Sequence, residues 1–126
     1  MTRSAFETGL GKNPANYQPL TPLIFLSRAA AIFPDRTAII HGGQRFTYAE
    51  FYRRCRQLAS ALKARGIGRG AAVSVLLSNT PSMLEVHYAV PMAGAVLHAI
   101  NTRLDAAAIA FIPAHAPAGL VLARRA

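Results

Sequence analysis

The sequence predicts an α/β fold, an incomplete parallel-sheet sandwich in which helices and strands alternate. From residue 47 onward, segments with the apolar period of a helix alternate with short apolar runs typical of strands. This alternation favours a parallel sheet joined by right-handed crossovers. A Gly42-Gly43 pair between two β-type runs adds a hairpin, and a start rich in proline and glycine adds an N-terminal arm.

The arm is expected over residues 1–20, and residues 21–126 are expected to form one partial subdomain. The first helix should begin at Thr21-Pro22, with the threonine as N-cap and the proline in the first helical position. Pro34 should end it. Its apolar face is formed by Leu23, Leu26, Ala30 and Phe33.

The second helix has the clearest start signal in the chain. Thr47 and Glu50 have the spacing of a capping box, and Phe46 and Phe51 occupy the positions of a hydrophobic staple. Gly66 should end this helix. The apolar stripe predicted to be buried consists of Phe51, Cys55, Leu58, Ala59 and Leu62.

A strand, a helix and a second strand follow. The first strand is expected over 72–77, and the helix should begin at Thr80-Pro81 and end at Gly94. Ala95–Ile100 is a continuous apolar run, so we expect a strand covered on both faces.

Asp105 can cap a last helix, and Gly119–Ala123 is expected to be a short strand. Pro113 should interrupt the last helix, because an interior proline costs about 3 kcal/mol. We therefore expect this helix to end near Ile112.

The composition points to a folded protein. The chain has 126 residues, of which 52% are hydrophobic and 15% charged, which excludes a disordered tail. The single cysteine, Cys55, cannot form an internal disulfide. The N-terminus has no apolar signal segment, and no apolar run has the roughly 20 residues of a membrane span. We therefore expect a cytoplasmic location.

The net charge of +9 raises the alternative of a basic nucleic-acid binder. A solvated helix face explains the concentration of basic residues more simply. These residues are Arg53, Arg54, Arg56, Lys63, Arg65 and Arg69.

The residues support no catalytic, cofactor-binding or metal site. Gly66–Gly70 runs from a helix into a strand, the reverse of a phosphate-binding glycine loop. Cys55 falls on a buried stripe, which argues against a nucleophile. Glu85 is expected to complement the helix dipole. The remaining candidates, which lack metal-ligand spacing, are His41, His87, His98 and His115. Those without a nucleophile motif are Ser60, Ser78 and Ser82.

Three short motifs resemble the N-terminal region of the AMP-forming acyl-CoA synthetases, the adenylate-forming superfamily. They are Asn79-Thr80-Pro81, Ala93-Gly94-Ala95 and Asn101-Thr102-Arg103-Leu104. Pro34–Ala38 is also similar to the family, and 13–22 resembles a medium-chain-like branch of it. The resemblance covers residues 13–112 and is strongest over 71–105.

The resemblance implies a ligase that joins a carboxylic or fatty acid to ATP, releases pyrophosphate, and passes the acyl group to CoA. ATP, Mg and CoA are thus implied for the full-length family. Its phosphate loop, acidic motif and C-terminal lysine match nothing in 1–126, so no site residue carries over. We expect a truncated N-terminal fragment that does not carry out the reaction alone.

An alternative from a different class stays open. The chain can be a small non-catalytic binding or interaction module, because an unfinished parallel sheet leaves backbone donors and acceptors for another chain. Self-association through the exposed sheet edge is the expected form of such an interaction.

Overall fold

The computed structural model describes residue 9 and residues 11–115 and 118–123. The fold is mixed α/β, as predicted. The helices are α1 (Pro22–Ile32), α2 (Tyr48–Ala64), α3 (Pro81–Met92) and α4 (Ala106–His115). The strands are β1 (Thr37–His41), β2 (Gln44–Thr47), β3 (Ala72–Leu76), β4 (Val96–Ala99) and β5 (Leu120–Ala123).

The three later strands form a parallel sheet in the order β4-β3-β5. The predicted parallel sheet is thus confirmed, with β3 at its centre. The expectation that the strand after Gly94 is covered on both faces was wrong. β4 lies at the edge of the sheet, and Val96 is 62% exposed. An apolar strand is buried on both faces only if a layer of helices covers each face of the sheet.

The predicted hairpin is also confirmed. β1 and β2 pair antiparallel, with His41 opposite Gln44, and form a sheet separate from the parallel one. Gly42 has φ +57° and allows the two-residue turn.

Two apolar clusters hold the elements together. In the first, Leu62 of α2 and Val86 and Val90 of α3 pack with Val73 and Val75 of β3. In the second, Leu26 of α1, Ile39 of the hairpin, and Phe51 and Cys55 of α2 pack together. Helix α2 contributes to both, so it joins the hairpin and α1 to the parallel sheet.

The buried stripe of α2 matches its prediction closely. Its buried residues are Phe51, Cys55, Ala59 and Leu62, while Leu58 packs at the edge of the first cluster. The face predicted for α1 was partly wrong. Leu26 is buried, but Phe33 lies beyond the helix and is exposed.

The cap of α2 forms as predicted. The Thr47 side chain accepts a hydrogen bond from the Glu50 N–H at 3.2 Å, and a Glu50 carboxylate oxygen accepts one from the Thr47 N–H at 2.8 Å. Thr21 and Thr80 stand at N-cap positions with extended backbone, but neither side chain makes a cap hydrogen bond. The capping role predicted for these two hydroxyls was therefore wrong. The N–H groups at these two helix starts donate to the threonine carbonyls instead, from Ile24 to Thr21 and from Met83 and Leu84 to Thr80.

Gly66 and Gly94 end their helices as predicted. Both have left-handed backbone, with φ +77° and +86°. After Gly94, the Ala95 N–H donates to the Val90 carbonyl and the Gly94 N–H donates to Pro91, which together form a Schellman motif. A Cβ on Gly94 would lie 3.6 Å from the Arg69 backbone nitrogen.

The last helix extends further than expected. Asp105 caps it, since its carboxylate accepts a hydrogen bond from the Ala108 N–H at 2.8 Å. The helix runs through Pro113 to His115, so the expected end near Ile112 was wrong. A proline removes only its own N–H, and the residues after it can still donate to the preceding turn.

The arm prediction falls partly outside the described residues. In residues 11–20, Asn13 forms a turn by accepting from the Tyr17 N–H at 2.9 Å, and these residues contain no helix or strand. Across the described ranges, no helix combines the length and apolarity that a bilayer crossing requires.

Candidate functional site

The carboxyl ends of β3 and β4 meet at one edge of the parallel sheet and form an open polar pocket, which we call the strand-end pocket. Its volume is about 530 Å³. Ser78 and Asn79 follow β3, and Asn101, Thr102 and Arg103 follow β4. Ligands of open α/β sheets bind outside the carboxyl ends of the strands.

The strand-end pocket suits a negatively charged group. Arg103 contributes a cation, and none of the lining residues is acidic. The N-terminus of α3 follows Asn79 directly, and the positive end of its dipole adds to this potential. The Asn101 side chain accepts a hydrogen bond from the Arg103 N–H at 2.9 Å, which shapes the turn that carries the arginine.

A Ser–His pair joins two neighbouring strands of the parallel sheet. Ser74 on β3 and His98 on β4 are opposite each other in register, and Ser74 Oγ lies 3.0 Å from His98 Nδ1. Ser74 is fully buried, with 0% of its surface exposed. A substrate cannot reach Ser74, so this hydrogen bond is a structural contact between β3 and β4.

The other histidines do not form a metal site. His87 donates from Nδ1 to the Met83 carbonyl of its own helix at 2.7 Å, and His115 stacks on Phe111. Within residues 9, 11–115 and 118–123, His, Cys, Asp and Glu side chains do not gather in groups of three or more that could hold a metal ion.

Glu85 has a partner that sequence analysis missed. Its carboxylate accepts a hydrogen bond from Arg54 Nε at 2.5 Å, and the two residues are 31 positions apart. Glu85 is only 7% exposed, and the Arg54 guanidinium also lies 4.9 Å from the centre of the Phe46 ring. The hydrogen bond to Glu85 raises the pKa of Arg54 above its usual value. The pair thus ties α2 to α3, and Arg54 departs from the solvated basic face expected for it.

Cys55 is an inert thiol. Burial, followed by the nearby negative charge of Glu85, raises its pKa from 9.0 to about 12. A nucleophilic cysteine needs the thiolate near neutral pH, which this environment disfavours. The position on the buried stripe predicted for Cys55 is confirmed.

The arrangement of the described residues offers groups that can bind an anion. Among the described residues, the strand-end pocket offers hydroxyl, amide and guanidinium groups without a general base beside them. In the sequence, Ser78 lacks a nucleophile motif, and nothing there shows that the polar turns after β3 and β4 are neighbours. The signal that could have found the site was their position, because each polar turn directly follows a strand of the predicted parallel sheet.

Comparisons with known proteins agree on one family. The model of the AMP-binding enzyme family matches residues 26–126. The acetate–CoA ligase CCL3 of Humulus lupulus is 51% identical over 113 residues, which cover 90% of this chain and 20% of that ligase. The peroxisomal trans-cinnamate:CoA ligase of Petunia hybrida is 53% identical over 112 residues, which cover 89% of this chain and 20% of that ligase.

A solved structure is similar as well. The O-succinylbenzoate coenzyme A synthetase of Bacillus subtilis, in complex with ATP and magnesium ion, superposes with a TM-score of 0.74. It is 26% identical, and the match covers 80% of this chain and 28% of that chain. The chain spans about a fifth of the length of the curated relatives it matches.

Proposed function

The chain belongs to the AMP-binding enzyme family, and from that premise we propose that it forms the first part of an ATP-dependent acid–CoA ligase. The observation that carries the proposal is its identity of 51% and 53% with two acid–CoA ligases over about nine-tenths of its length. Their substrates differ, acetate in one and trans-cinnamate in the other, so the acid is proposed only as a carboxylic acid.

The proposed reaction has two balanced steps. The carboxylate of the acid attacks the α-phosphorus of ATP, which forms an acyl adenylate and releases pyrophosphate. The thiol of CoA then attacks the acyl carbon, which gives the acyl-CoA, AMP and a proton. Both steps use multiply charged anions, ATP in the first and CoA in the second. The enzyme therefore needs groups that bind and position these anions.

Within this chain, the proposed contribution is binding. The strand-end pocket would hold a phosphate or carboxylate of one reactant through Arg103, Asn79 and Asn101. The described residues do not fit a magnesium site, because the pocket lacks carboxylates and no acidic cluster lies elsewhere in them. We therefore derive no metal-dependent step for this chain.

The test is an assay of the protein that contains this chain in its full natural length. Incubation with ATP, CoA and a panel of carboxylic acids should give AMP and pyrophosphate that depend on the acid. Hydrolysis of ATP to ADP, or no turnover with any acid, would contradict the proposal.

The role of the strand-end pocket is tested separately in the same protein. Arg103→Gln should raise KM about tenfold for one of the three reactants, because a hydrogen bond to a charged group is lost. Arg69→Gln removes the same charge from an exposed loop and should leave all three KM values unchanged. Equal kinetics in the two variants would exclude the pocket from the reaction.

A cytoplasmic location stays a proposal. The names of the Petunia ligase and of the Arabidopsis thaliana acetate/butyrate–CoA ligase AAE7 both carry the word peroxisomal. Fluorescence microscopy of the full-length protein with cytoplasmic and peroxisomal markers decides between the two compartments.

A further inference from the structure

A second groove lies between α1 and α2, and we call it the helix groove. Its volume is about 620 Å³, and it is open to solvent along one side. It shares no lining residue with the strand-end pocket. No step of the proposed reaction uses it.

One wall of the helix groove is basic. Arg56 and Lys63 of α2 both line it, and both side chains are exposed. The Arg56 guanidinium carbon lies 5.7 Å from the centre of the Tyr52 ring, which holds the arginine along the wall. Two cations on one helix face attract an anionic group.

No carboxylate neutralises this wall in the part of the chain that the structure describes. The ion pair in the described part of the chain joins Arg54 to Glu85, and neither residue lines the groove. Glu50 and Asp105 accept backbone hydrogen bonds at the starts of α2 and α4. The carboxylates of Glu85, Glu50 and Asp105 therefore form their contacts outside the groove.

The opposite wall carries an apolar surface beside the polar side chains of Gln18, Thr21 and Ser27. Leu23 and Ile24 of α1 and Met92 at the end of α3 line it, and all three are half-buried. Covering them would remove apolar surface from water, at about 25 cal/mol per Å². A purely inorganic anion would contact the basic wall and leave this surface exposed.

We propose that the helix groove binds an amphipathic anion, a small molecule with a phosphate head and an apolar chain. The head contacts Arg56 and Lys63, and the chain lies against Leu23 and Ile24. Ser60, which also lines the groove, supplies a hydroxyl group within the same cavity, whereas the Ser27 hydroxyl donates to the Ile24 carbonyl at 3.0 Å. The inference is independent of the proposed ligase function, because it depends on different residues.

The test uses isothermal titration calorimetry on the 126-residue chain with decyl phosphate below its critical micelle concentration. Decyl phosphate should bind at least tenfold more tightly than methyl phosphate, since the apolar wall contacts only the longer chain. Arg56→Gln and Lys63→Gln should each weaken decyl phosphate binding about tenfold. Arg69→Gln removes an equal charge outside the groove and should leave binding unchanged.

A fourth variant tests the apolar wall. Ile24→Ala should reduce the preference for decyl over methyl phosphate and leave methyl phosphate binding unaltered. Because the substituted side chains of Arg56 and Lys63 are exposed, circular dichroism should show these variants folded like the parent chain. No binding of decyl phosphate by the folded parent chain, equal affinity for both phosphates, or equal loss in Arg69→Gln would each overturn the proposal. If the chain binds anionic vesicles but does not bind monomeric decyl phosphate, the proposal is overturned in favour of a contact with a membrane surface.

Discussion

The contacts of a single residue in this protein can depend on residues that lie far away in the sequence. Glu85 was expected to complement a helix dipole, yet it accepts a hydrogen bond from Arg54 of another helix. Cys55 is the converse case, because the helical period of its neighbours placed it correctly on a buried stripe. The helical period that places a residue on a buried stripe can be read from neighbouring residues. The partner in a salt bridge depends on the tertiary structure.

The raised pKa of Cys55 predicts a pH dependence of stability. In the unfolded chain the thiol ionises near its usual pKa of 9.0, whereas in the folded protein it stays protonated to about pH 12. Between these values the unfolded state binds fewer protons, so stability should fall as pH rises, by about 1.4 kcal/mol for each unit. Below pH 9 this contribution is fully present.

Urea unfolding between pH 8 and pH 11 checks this prediction. Cys55→Ala retains every tyrosine and should show a shallower decline, although its starting stability is lower because a buried side chain is shortened. Parallel declines in the two proteins would contradict the assigned cause.

Most helices in this protein begin and end where local signals place them. The capping box of α2 and the glycine ends of α2 and α3 match their predictions. The threonines before Pro22 and Pro81 occupy cap positions but do not cap. Thr80 Oγ1 is buried without a hydrogen-bond partner among the residues that the structure describes. A Thr-Pro start therefore marks where a helix begins without showing that the hydroxyl stabilises it.

This difference predicts opposite effects of substitution at two threonines. Thr47→Ala should lower the free energy of unfolding by about 1 kcal/mol, because the capping box is lost. Thr80→Val should raise it by about 1 kcal/mol, since an unpaired buried hydroxyl becomes a methyl group of similar size. The extended backbone at Thr80, with φ −121° and ψ 169°, suits valine.

Chemical denaturation followed by circular dichroism measures both variants. A loss of stability in Thr80→Val as large as that in Thr47→Ala would show that the Thr80 hydroxyl caps its helix after all.

At the scale of the whole molecule, the parallel sheet is asymmetric. Val73 and Val75 face the cluster formed with α2 and α3. Ser74 points to the other face, where its register partner Val121 is 53% exposed. Val96, at the β4 edge, is 62% exposed. Open sheet edges beside exposed apolar residues are sites where another chain can pair.

We therefore expect the isolated chain to self-associate as its concentration rises. Val96→Lys places a charge at the β4 edge and should shift the sedimentation coefficient towards that of a monomer. Ala64→Lys adds the same charge at the exposed end of α2 and should leave association unchanged. A parent chain that stays monomeric at all concentrations would contradict both the expectation and the alternative of an edge-pairing module.

The strand-end pocket shows how far sequence analysis reaches towards a site. The alternation of helices and strands predicted that the polar turns at Asn79 and Asn101 follow parallel strands. Whether they lie side by side depends on strand order, and the sequence admits more than one order. The structure brings them together because β4 pairs directly with β3.

The sequence by itself determined the family, the α/β class, the hairpin, and most helix and strand positions. These depend on signals that act within a few residues, such as the Thr47–Glu50 box and the left-handed glycine at 94. Only the tertiary structure decided that β4 is an edge, that Glu85 pairs with Arg54, and that two grooves of different chemistry form. Each of these depends on which distant segments come into contact, and burial, charge pairing and cavity shape are properties of those contacts.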